Sequence, residues 1–264
     1  MKRLLLTGAA GGMGTRLRRA LAGKYPTLRV SDIADLGPAG EGEEVVQCDL
    51  RDYAAVEELV RDCDGIVHLG GISLEDTFDR ILEANFRGTY NVYEAARKTG
   101  KPRILFGSSN HATGFYPRET SIDPSMPIRP DSIYGVSKCF GEALSRYYFD
   151  QFGMESVCVR IGFCFPEPVD RRSMALWLSL NDLVRLIDRV FAAPRVAHTI
   201  VYGVSDNLEK WQDNSHARFL GWQPQDSSEQ FREKIEAACG PDSNDDPAVR
   251  LQGGKWTVAG HFED

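Results

Sequence analysis

Short apolar runs alternate with longer amphipathic stretches along the first 165 residues of the chain. The apolar runs predict strands over 3–7, 28–32, 45–49, 65–70, 103–108 and 156–161. The amphipathic stretches predict helices over 13–22, 54–62, 79–99 and 132–152. Near-continuous apolar strands separated by helices are typical of a parallel sheet that is covered on both faces. The pattern therefore predicts an α/β fold with a doubly wound parallel sheet of the Rossmann type.

The alternation becomes weaker after residue 165. Prolines and charges predict a loop over 166–172, followed by a helix over 181–192, a strand over 199–202 and a helix over 228–239. Residues 240–264 are rich in Gly, Pro and Asp, a composition that predicts an extended tail. We expect a single domain over 1–264, with a Rossmann core in 1–165 and a small substrate-binding part with the tail in 166–264.

The composition narrows the possible partners. A formal net charge of −7 and a pI near 5.4 argue against nucleic acids and anionic membranes. The six cysteines form no CxxC pair, which predicts reduced thiols in a reducing compartment, without a zinc site or a disulfide framework. The N-terminal apolar run is too short for a signal peptide, and no stretch approaches the roughly 20 apolar residues of a membrane span. We expect a cytoplasmic protein that binds no metal.

A glycine-rich loop follows the first predicted strand and opens the first predicted helix. It reads TGAAGGMG over 7–14. Glycines at such a position let the backbone turn tightly and approach a pyrophosphate, which the helix N-terminus then attracts. The loop predicts a dinucleotide site, with contacts from Gly8, Gly11, Gly12, Met13 and Gly14.

Asp32 ends the second predicted strand, 24 positions after Gly8. A carboxylate there can accept hydrogen bonds from ribose hydroxyls and repel a 2′-phosphate, and its neighbours Ser31 and Ile33 supply no cation. The sequence therefore favours NAD over NADP as the cofactor, unless Asp32 merely caps a surface turn. Further cofactor contacts are predicted at other strand ends, namely Asp49, Leu50, Leu69, Gly70, Gly71 and Ile161.

Tyr134 and Lys138 lie four residues apart on a predicted helix, which puts both on one face. We expect the lysine charge to lower the pKa of the tyrosine, so that its phenol can act as a base. Ser109 lies just past the fifth predicted strand, where its hydroxyl could steady the reacting oxygen. These three residues are the predicted catalytic group for a hydride transfer with proton abstraction.

Taken together, TGAAGGMG, Asp32, FGSSN and YGVSK resemble the extended short-chain dehydrogenase/reductase superfamily over about residues 1–165. The resemblance implies that Ser109, Tyr134 and Lys138 are catalytic and that Lys138 also holds the nicotinamide ribose. It places Asn85 where the superfamily often has a structural asparagine near the cofactor.

A narrower resemblance covers nearly the whole chain. The segments HLGGIS (68–73), SSNHATGFYP (108–117), RPDSIYGVSKCFGE (129–142), RIGFCFPEP (160–168), WQDNS (211–215) and FLGWQPQD (219–226) are similar to uronate dehydrogenases. That family uses NAD to oxidise the C1 hydroxyl of glucuronate or galacturonate to an aldarolactone. The resemblance implies a small acid-sugar substrate, a homo-oligomer, and substrate contacts at Ser73, Ser109, Asn110, His111 and Arg172. The planar fork of an arginine suits a carboxylate.

The chain departs from that family at two positions. Phe163 stands where the family typically has a serine in RIGSC, and Ala112 stands where SNHT is common. These losses of hydroxyl groups predict a uronate that is held differently, a different acid sugar or reduced activity. Two other functions stay open: a nucleotide-sugar epimerase or dehydratase, which usually needs a larger C-terminal region, and an NAD-binding protein with a relic site, which the intact catalytic group opposes.

Several polar candidates also have a structural explanation. Ser73 could cap a helix that begins near Glu75. Arg172 could be a solvated arginine in a charged loop, and His111 could be an ordinary turn residue. His68 lies inside an apolar strand, which favours a core residue over a catalyst.

Overall fold

In the part of the chain that a computed structural model describes, residues 1–240 and 246–263, seven parallel strands form one central sheet. They are β1 (Arg3–Thr7), β2 (Thr27–Asp32), β3 (Glu43–Gln47), β4 (Gly65–His68), β5 (Arg103–Ser109), β6 (Ser156–Ile161) and β7 (His198–Gly203). Their order across the sheet is β3-β2-β1-β4-β5-β6-β7. The predicted fold class is therefore confirmed.

Helices cover both faces of this sheet. They are α1 (Gly12–Leu21), α2 (Tyr53–Val60), α3 (Phe78–Ile81), α4 (Gly88–Lys98), α5 (Ile133–Phe152), α6 (Arg171–Leu176), α7 (Leu180–Ala192), α8 (Arg232–Ala238) and α9 (Pro247–Arg250). Short 3₁₀ segments span Asn110–Thr113, Ser215–Leu220, Ser228–Phe231 and Gly254–Val258. The long helix predicted over 79–99 is α3 and α4 joined by a π-helical segment, Leu82–Arg87.

Alternation along the strands sends side chains to two separate apolar clusters. Leu4 and Leu6 of β1 point to one face, where Leu17 of α1 and Ile187 of α7 pack against the sheet. Leu5 points to the other face, into the cluster formed with α2, α4 and α5. All of these side chains are fully buried. Packing on both faces fixes the strands relative to one another, so that residues at their carboxyl ends have defined positions.

The strand order reverses between β1 and β4. From β1 the chain runs outward to β2 and β3, whereas β4 lies on the opposite side of β1. Loops that leave the carboxyl ends of β1 and β4 therefore diverge and open a crevice, where open α/β sheets bind their ligands. The glycine-rich loop lies at this point.

Two regions differ from the sequence prediction. The loop predicted over 166–172 overlaps the start of α6, a helix that was not predicted. This helix begins at a capping box: Asp170 Oδ1 accepts from Ser173 N (2.6 Å), and Ser173 Oγ accepts from Asp170 N (2.9 Å). The tail is not simply extended, because it contains α9 and a 3₁₀ turn. Backbone bonds from Gln252 N to Tyr116 O (2.9 Å) fold it back onto the molecule.

The six cysteines are free thiols, and five of them are buried. Among the residues that the structure describes, no group of three or more His, Cys, Asp or Glu side chains is arranged to hold a metal ion. No helix within those same ranges has both the length and the apolar character needed to cross a membrane.

Candidate active site

The glycine-rich loop brings three backbone segments close together. Gly8 has a φ of +73°, and a Cβ there would lie 2.7 Å from the carbonyl carbon of Leu69, so the loops after β1 and β4 touch. A Cβ on Gly14 would lie 2.0 Å from the Gly8 carbonyl oxygen. Helix α1 begins at Gly12 without a side-chain cap, and nothing lies within 4 Å of where a Gly12 Cβ would be. Uncapped N–H groups beside open space fit the phosphates of a dinucleotide.

Asp32 is fixed beside this loop. Its Oδ2 accepts from Ala10 N (2.9 Å), and its Oδ1 accepts from Ala34 N (3.1 Å). Asp32, the last residue of β2, therefore orders the glycine-rich loop. The neighbouring Ile33 is 58% exposed. This environment fits a ribose with free hydroxyls.

The other predicted cofactor residues at strand ends lie at or just beyond the carboxyl ends of β3, β4 and β6, and their contacts with the cofactor stay predictions. The side chain of Leu50 packs against Gly70, where a Cβ would lie 2.5 Å from Leu50 Cδ1. Asp49 is paired with the exposed Arg51 (2.6 Å). Ile161 ends β6 beside Ser109, which ends β5.

Asn85 acts through the chain itself. Its Oδ1 accepts from Ile72 N (2.7 Å), and its Nδ2 donates to Ile72 O (3.0 Å) and to Ser137 Oγ (2.9 Å). Asn85 thus ties the loop that contains Gly71 to helix α5. Its own contact with the cofactor stays a prediction.

His68 is a core residue, as expected. Its Nδ1 bonds with Thr7 Oγ1 (2.8 Å) and its Nε2 with Thr89 Oγ1 (3.3 Å). Burial, assisted by the charge of Lys138, lowers the pKa of His68 to about 3. The ring is neutral at physiological pH and holds β4 against its neighbours.

The three predicted catalytic residues are all buried, Ser109 at the end of β5 and the other two early in α5. Ser132 caps α5 by accepting from Gly135 N (3.0 Å). Lys138 Nζ lies 5.4 Å from the ring centre of Tyr134 and 5.3 Å from that of Phe106. The spacing of four residues therefore places the phenol and the ammonium on one helix face, as predicted.

The pKa of Tyr134 differs in direction from the sequence prediction. Burial raises it to about 12, against a hydrogen bond from Ser109 that lowers it, and the charge of Asp131 raises it further. Burial also lowers the pKa of Lys138 to about 8. In the chain alone, desolvation of the phenolate outweighs any help from the lysine.

Asn110 and Arg172 form a polar pair next to Ser109, the predicted catalytic serine. In the amide orientation that satisfies both of its groups, Asn110 donates to Ile161 O (3.1 Å) and accepts from Arg172 Nη2 (3.0 Å). Arg172 Nε donates to Gln252 O (2.6 Å). Burial lowers the pKa of Arg172 to about 10. Arg172 is therefore a held arginine of α6, not a solvated one.

Three aromatic rings meet beside this pair. The His111 ring lies 4.1 Å from that of Trp256 and 6.1 Å from that of Tyr134, and the Trp256 and Tyr134 rings are 5.8 Å apart. His111 Nδ1 also lies 2.8 Å from Asp131 Oδ2. His111 is thus buried within the site and is more than a turn residue. Trp256 and Asp131 were not predicted, because Trp256 reaches the site only through the folded tail and Asp131 lies 20 positions from His111 in the sequence.

Ser73 is exposed and caps no helix, because α3 begins only at Phe78. The neighbouring Glu75 has a role that the sequence analysis missed. Its two carboxylate oxygens accept from Ile133 N (2.9 Å) and Tyr134 N (2.8 Å), the first N–H groups of α5. An acid in the loop after β4 was a visible signal, but its partners lie 58 and 59 positions away.

Phe163, at the position of the family's serine, follows β6. Its ring packs 4.7 Å from that of Phe165, which is 57% exposed. The guanidinium of Arg16 lies 6.0 Å from the Phe165 ring. Two stacked apolar rings therefore replace a hydroxyl at this edge of the crevice.

The chain matches a protein family and is similar over nearly its whole length to known proteins. Residues 4–167 match the model of the NAD dependent epimerase/dehydratase family. The chain is 53% identical to uronate dehydrogenase from Pseudomonas putida over 98% of its length and 97% of that protein. It is also 53% identical to uronate dehydrogenase from Agrobacterium fabrum, over 97% of each.

The chain is also similar to solved structures of dehydrogenases of this kind. Glucuronic acid dehydrogenase from Chromohalobacter salexigens superposes with a TM-score of 0.98 at 56% identity, over 100% of this chain and 99% of that one. A mutant uronate dehydrogenase from Agrobacterium tumefaciens, complexed with NAD, has a TM-score of 0.95 at 52% identity, over 98% and 97%. A UDP-glucose 4-epimerase from Thermus thermophilus, at 21% identity, shares the fold alone.

Proposed function

Because the chain belongs to the NAD dependent epimerase/dehydratase family, we propose that it is an NAD-dependent dehydrogenase of a hexuronic acid. It oxidises the C1 hydroxyl of glucuronate or galacturonate to the aldarolactone. The observation that carries this proposal is the placement of the Arg172 guanidinium, hydrogen-bonded to Asn110 one residue beyond Ser109. The near full-length similarity to uronate dehydrogenases supports it.

The crevice of the 1–165 core fits NAD. The uncapped start of α1 suits the pyrophosphate, and the Asp32 carboxylate suits the adenosine ribose. The residues that would hold the cofactor are Gly8, Gly11, Gly12, Met13, Gly14, Asp32, Asp49, Leu50, Leu69, Gly70, Gly71, Asn85, Tyr134, Lys138 and Ile161. When bound, NAD⁺ accepts the hydride from C1 of the sugar.

The protein's own residues manage the proton and the orientation. Tyr134 takes the proton of the C1 hydroxyl, while the Ser109 hydroxyl donates to the same oxygen as a carbonyl develops there. The Lys138 ammonium stabilises the phenolate, which burial otherwise disfavours. The sugar thus loses a hydride from C1 and a proton from the C1 hydroxyl. Because the sugar ring is already closed, this oxidation gives the lactone without forming a new ring bond.

Arg172 binds the carboxylate at the far end of the sugar. A guanidinium can bind both carboxylate oxygens in parallel, which fixes the ring and brings C1 to the tyrosine. Ser73, Asn110 and His111 complete the proposed substrate contacts, and residues 166–264 provide the arginine and the covering tail. The apolar ring of Phe163 changes the contacts at one edge and so bears on which uronate is preferred.

Two other functions fit less well. A nucleotide-sugar epimerase needs room for a nucleotide, whereas the described part of the tail packs onto the site, with the Trp256 ring 4.1 Å from that of His111. A relic site has no reason to keep Ser109, Tyr134 and Lys138 buried together. The cytoplasmic location and the homo-oligomeric state stay predictions.

The test is a substrate panel that follows absorbance of the reduced cofactor. We expect NAD-dependent turnover of glucuronate or galacturonate and little with neutral aldoses or NADP. Arg172→Met should raise KM for the uronate at least tenfold, since a hydrogen-bonded charge pair is worth about 1.5–3 kcal/mol. The matched control variant is Arg171→Met. The Arg171 side chain is paired with Glu236 outside the site, so its replacement should leave KM unchanged. Turnover of neutral sugars alone would contradict the proposal.

A second variant tests the chemistry. Tyr134→Phe should abolish turnover, because no other proton acceptor is placed at the C1 oxygen by the proposed arrangement, while NAD binding measured by fluorescence titration persists. Full activity in Tyr134→Phe would rule out the proposed base.

A further inference from the structure

Asp131 is a buried carboxylate that the proposed reaction does not use. Its side chain is fully inaccessible to solvent and lies just before helix α5. Its two oxygens lie 3.0 and 2.8 Å from His111 Nδ1. Oδ1 also accepts from Ser132 Oγ (3.0 Å). A carboxylate without access to water needs such partners, and here the principal one is the imidazole.

The surrounding backbone leaves space for this carboxylate. A Cβ on Gly114 would lie 1.8 Å from Asp131 Oδ2, and a Cβ on Gly253 would lie 2.1 Å from it. The two glycines come from distant segments and are joined by a bond from Gly253 N to Gly114 O (2.8 Å). The folded tail therefore closes around the Asp131–His111 pair.

The pairing determines the tautomer of His111. An ionised carboxylate can only accept hydrogen bonds, so Nδ1 must carry the proton. In a neutral imidazole the other nitrogen, Nε2, is then an acceptor. Among residues 1–240 and 246–263, no side chain or backbone group bonds to His111 Nε2, and the ring is held by its contact with Trp256. Nε2 is thus left available to a ligand.

The neighbours of His111 explain why an acceptor is needed there. Arg172 and Ser109 present N–H and O–H donors, which suit the carboxylate and the oxygen at C1. A sugar hydroxyl also has a proton to donate, and it needs an acceptor in the site. We infer that Asp131 is a positioning residue: it holds His111 as the Nδ1–H tautomer, so that Nε2 accepts a hydrogen bond from a substrate hydroxyl. This inference rests on the proposed function.

The tautomer can be measured in the wild-type protein. We expect ¹⁵N-histidine NMR to show one imidazole with a protonated Nδ1 and a bare Nε2 at neutral pH, and this signal should vanish in His111→Ala. The chain has five histidines, so the assignment by difference is feasible. A His111 ring protonated at Nε2, alone or together with Nδ1, would overturn the inference.

The functional consequence is tested by a double-mutant cycle. Asp131→Asn keeps the shape of the side chain, but its amide can donate to Nδ1 and so favours the wrong tautomer. We expect kcat/KM for the uronate to fall about ten- to hundredfold, as for His111→Ala, with the Kd for NAD unchanged. In the double variant the loss should match that of His111→Ala alone. Losses that multiply would show that Asp131 acts independently of His111, and the inference would be wrong.

A matched control separates this effect from a general loss of charge. Asp123→Asn alters an exposed turn, where the carboxylate accepts from Ser125 N (2.7 Å), and it should leave kcat/KM unchanged. If the wild-type protein turns over no uronate, the proposed function fails while the NMR result still stands. If the wild type is active and Asp131→Asn is equally active, only this inference fails.

Discussion

Lys138 carries its ammonium group into the interior, between the rings of Tyr134 and Phe106. Both aromatic faces attract the cation, at ring distances of 5.4 and 5.3 Å. They do not replace the water that is lost, because burial still lowers the pKa of Lys138 to about 8. The Lys138 ammonium is therefore maintained in the interior at a cost to folding.

That cost can be measured as a dependence of stability on pH. The ordinary pKa of 10.5 falls to about 8 in the native state, a difference of about 3 kcal/mol. Between pH 8 and pH 10.5 the unfolded chain binds more protons at this site than the native chain, so stability rises with pH. Relative to Lys138→Met, the wild type should therefore gain up to about 3 kcal/mol of unfolding free energy across this window.

The measurement is urea unfolding of both proteins, without cofactor, at several pH values from 7 to 10.5. Subtracting the variant removes the titration of all other groups. A difference that stays constant over the window would mean that Lys138 keeps an ordinary pKa in the folded protein.

At the scale of elements, the first turn of α5 is held by segments that follow β4. Glu75 accepts from the N–H groups of Ile133 and Tyr134, and Asn85 donates to Ser137. Two unpaired N–H groups at the start of the helix are thereby satisfied, and a negative charge lies at the positive end of the helix dipole. The position of Tyr134 thus depends in part on the loop after β4, whose Glu75 bonds to the backbone N–H of that residue.

The tail provides a prediction at the same scale. Gly253 has an ordinary helical backbone with φ −69°, so alanine is allowed there by conformation. Its Cβ would nevertheless lie 2.1 Å from Asp131 Oδ2 and 2.8 Å from Thr257 Cγ2. We expect Gly253→Ala to displace the tail, lowering kcat/KM about tenfold and stability by about 1–3 kcal/mol.

Gly240→Ala is the matched control, since no atom of the described residues lies within 4 Å of its Cβ and its φ is not positive. Activity assays and thermal unfolding of Gly253→Ala and Gly240→Ala test this prediction. Equal behaviour of the two variants would mean that the tail does not close around Asp131 in solution.

The elements differ in how far the sequence determines them. Strands and helices with a clear hydrophobic period are predicted to within a few residues, because the period itself follows from burial. Helix α6 was missed, since upstream prolines obscured the capping signal at Asp170. The fold of the tail depends on contacts such as that of Gln252 Nε2 with Pro117 O, 135 positions away, and no local pattern encodes such a contact.

The same distinction applies to the site. Ser109, Tyr134 and Lys138 were recognisable by motif, whereas Glu75, Asp131 and Trp256 were not. Each of these three residues contacts a residue that is distant in the sequence. The residue types alone do not indicate which residue that is. A local motif can therefore indicate candidate catalytic residues, whereas the residues that support them become visible only in the folded chain.

At the scale of the whole molecule, a buried ion pair connects helix α5 to the sheet. Arg160 of β6 donates to both carboxylate oxygens of Glu142 in α5, at 2.9 and 2.8 Å. Glu142 also accepts from Ser108 of β5 (2.6 Å), and Arg160 donates to the Tyr202 hydroxyl of β7 (2.8 Å). Since Ser108 precedes Ser109, the network fixes α5 relative to the strand end that carries Ser109.

This network predicts an asymmetry between single and double substitutions. Glu142→Leu leaves the Arg160 guanidinium, which is 1% exposed, buried without a counter-charge, so unfolding free energy should fall by about 3–5 kcal/mol. Glu142→Leu with Arg160→Met should recover most of that loss, because the uncompensated charge is gone. The exposed pair Arg146–Asp150 on the same helix is the control, and Asp150→Ala should cost less than about 1 kcal/mol. Urea unfolding at pH 7 compares the three variants with the wild type under one condition. If Asp150→Ala cost as much as Glu142→Leu, the loss would reflect charge removal from α5 in general, and the buried pair would have no special part in holding the helix.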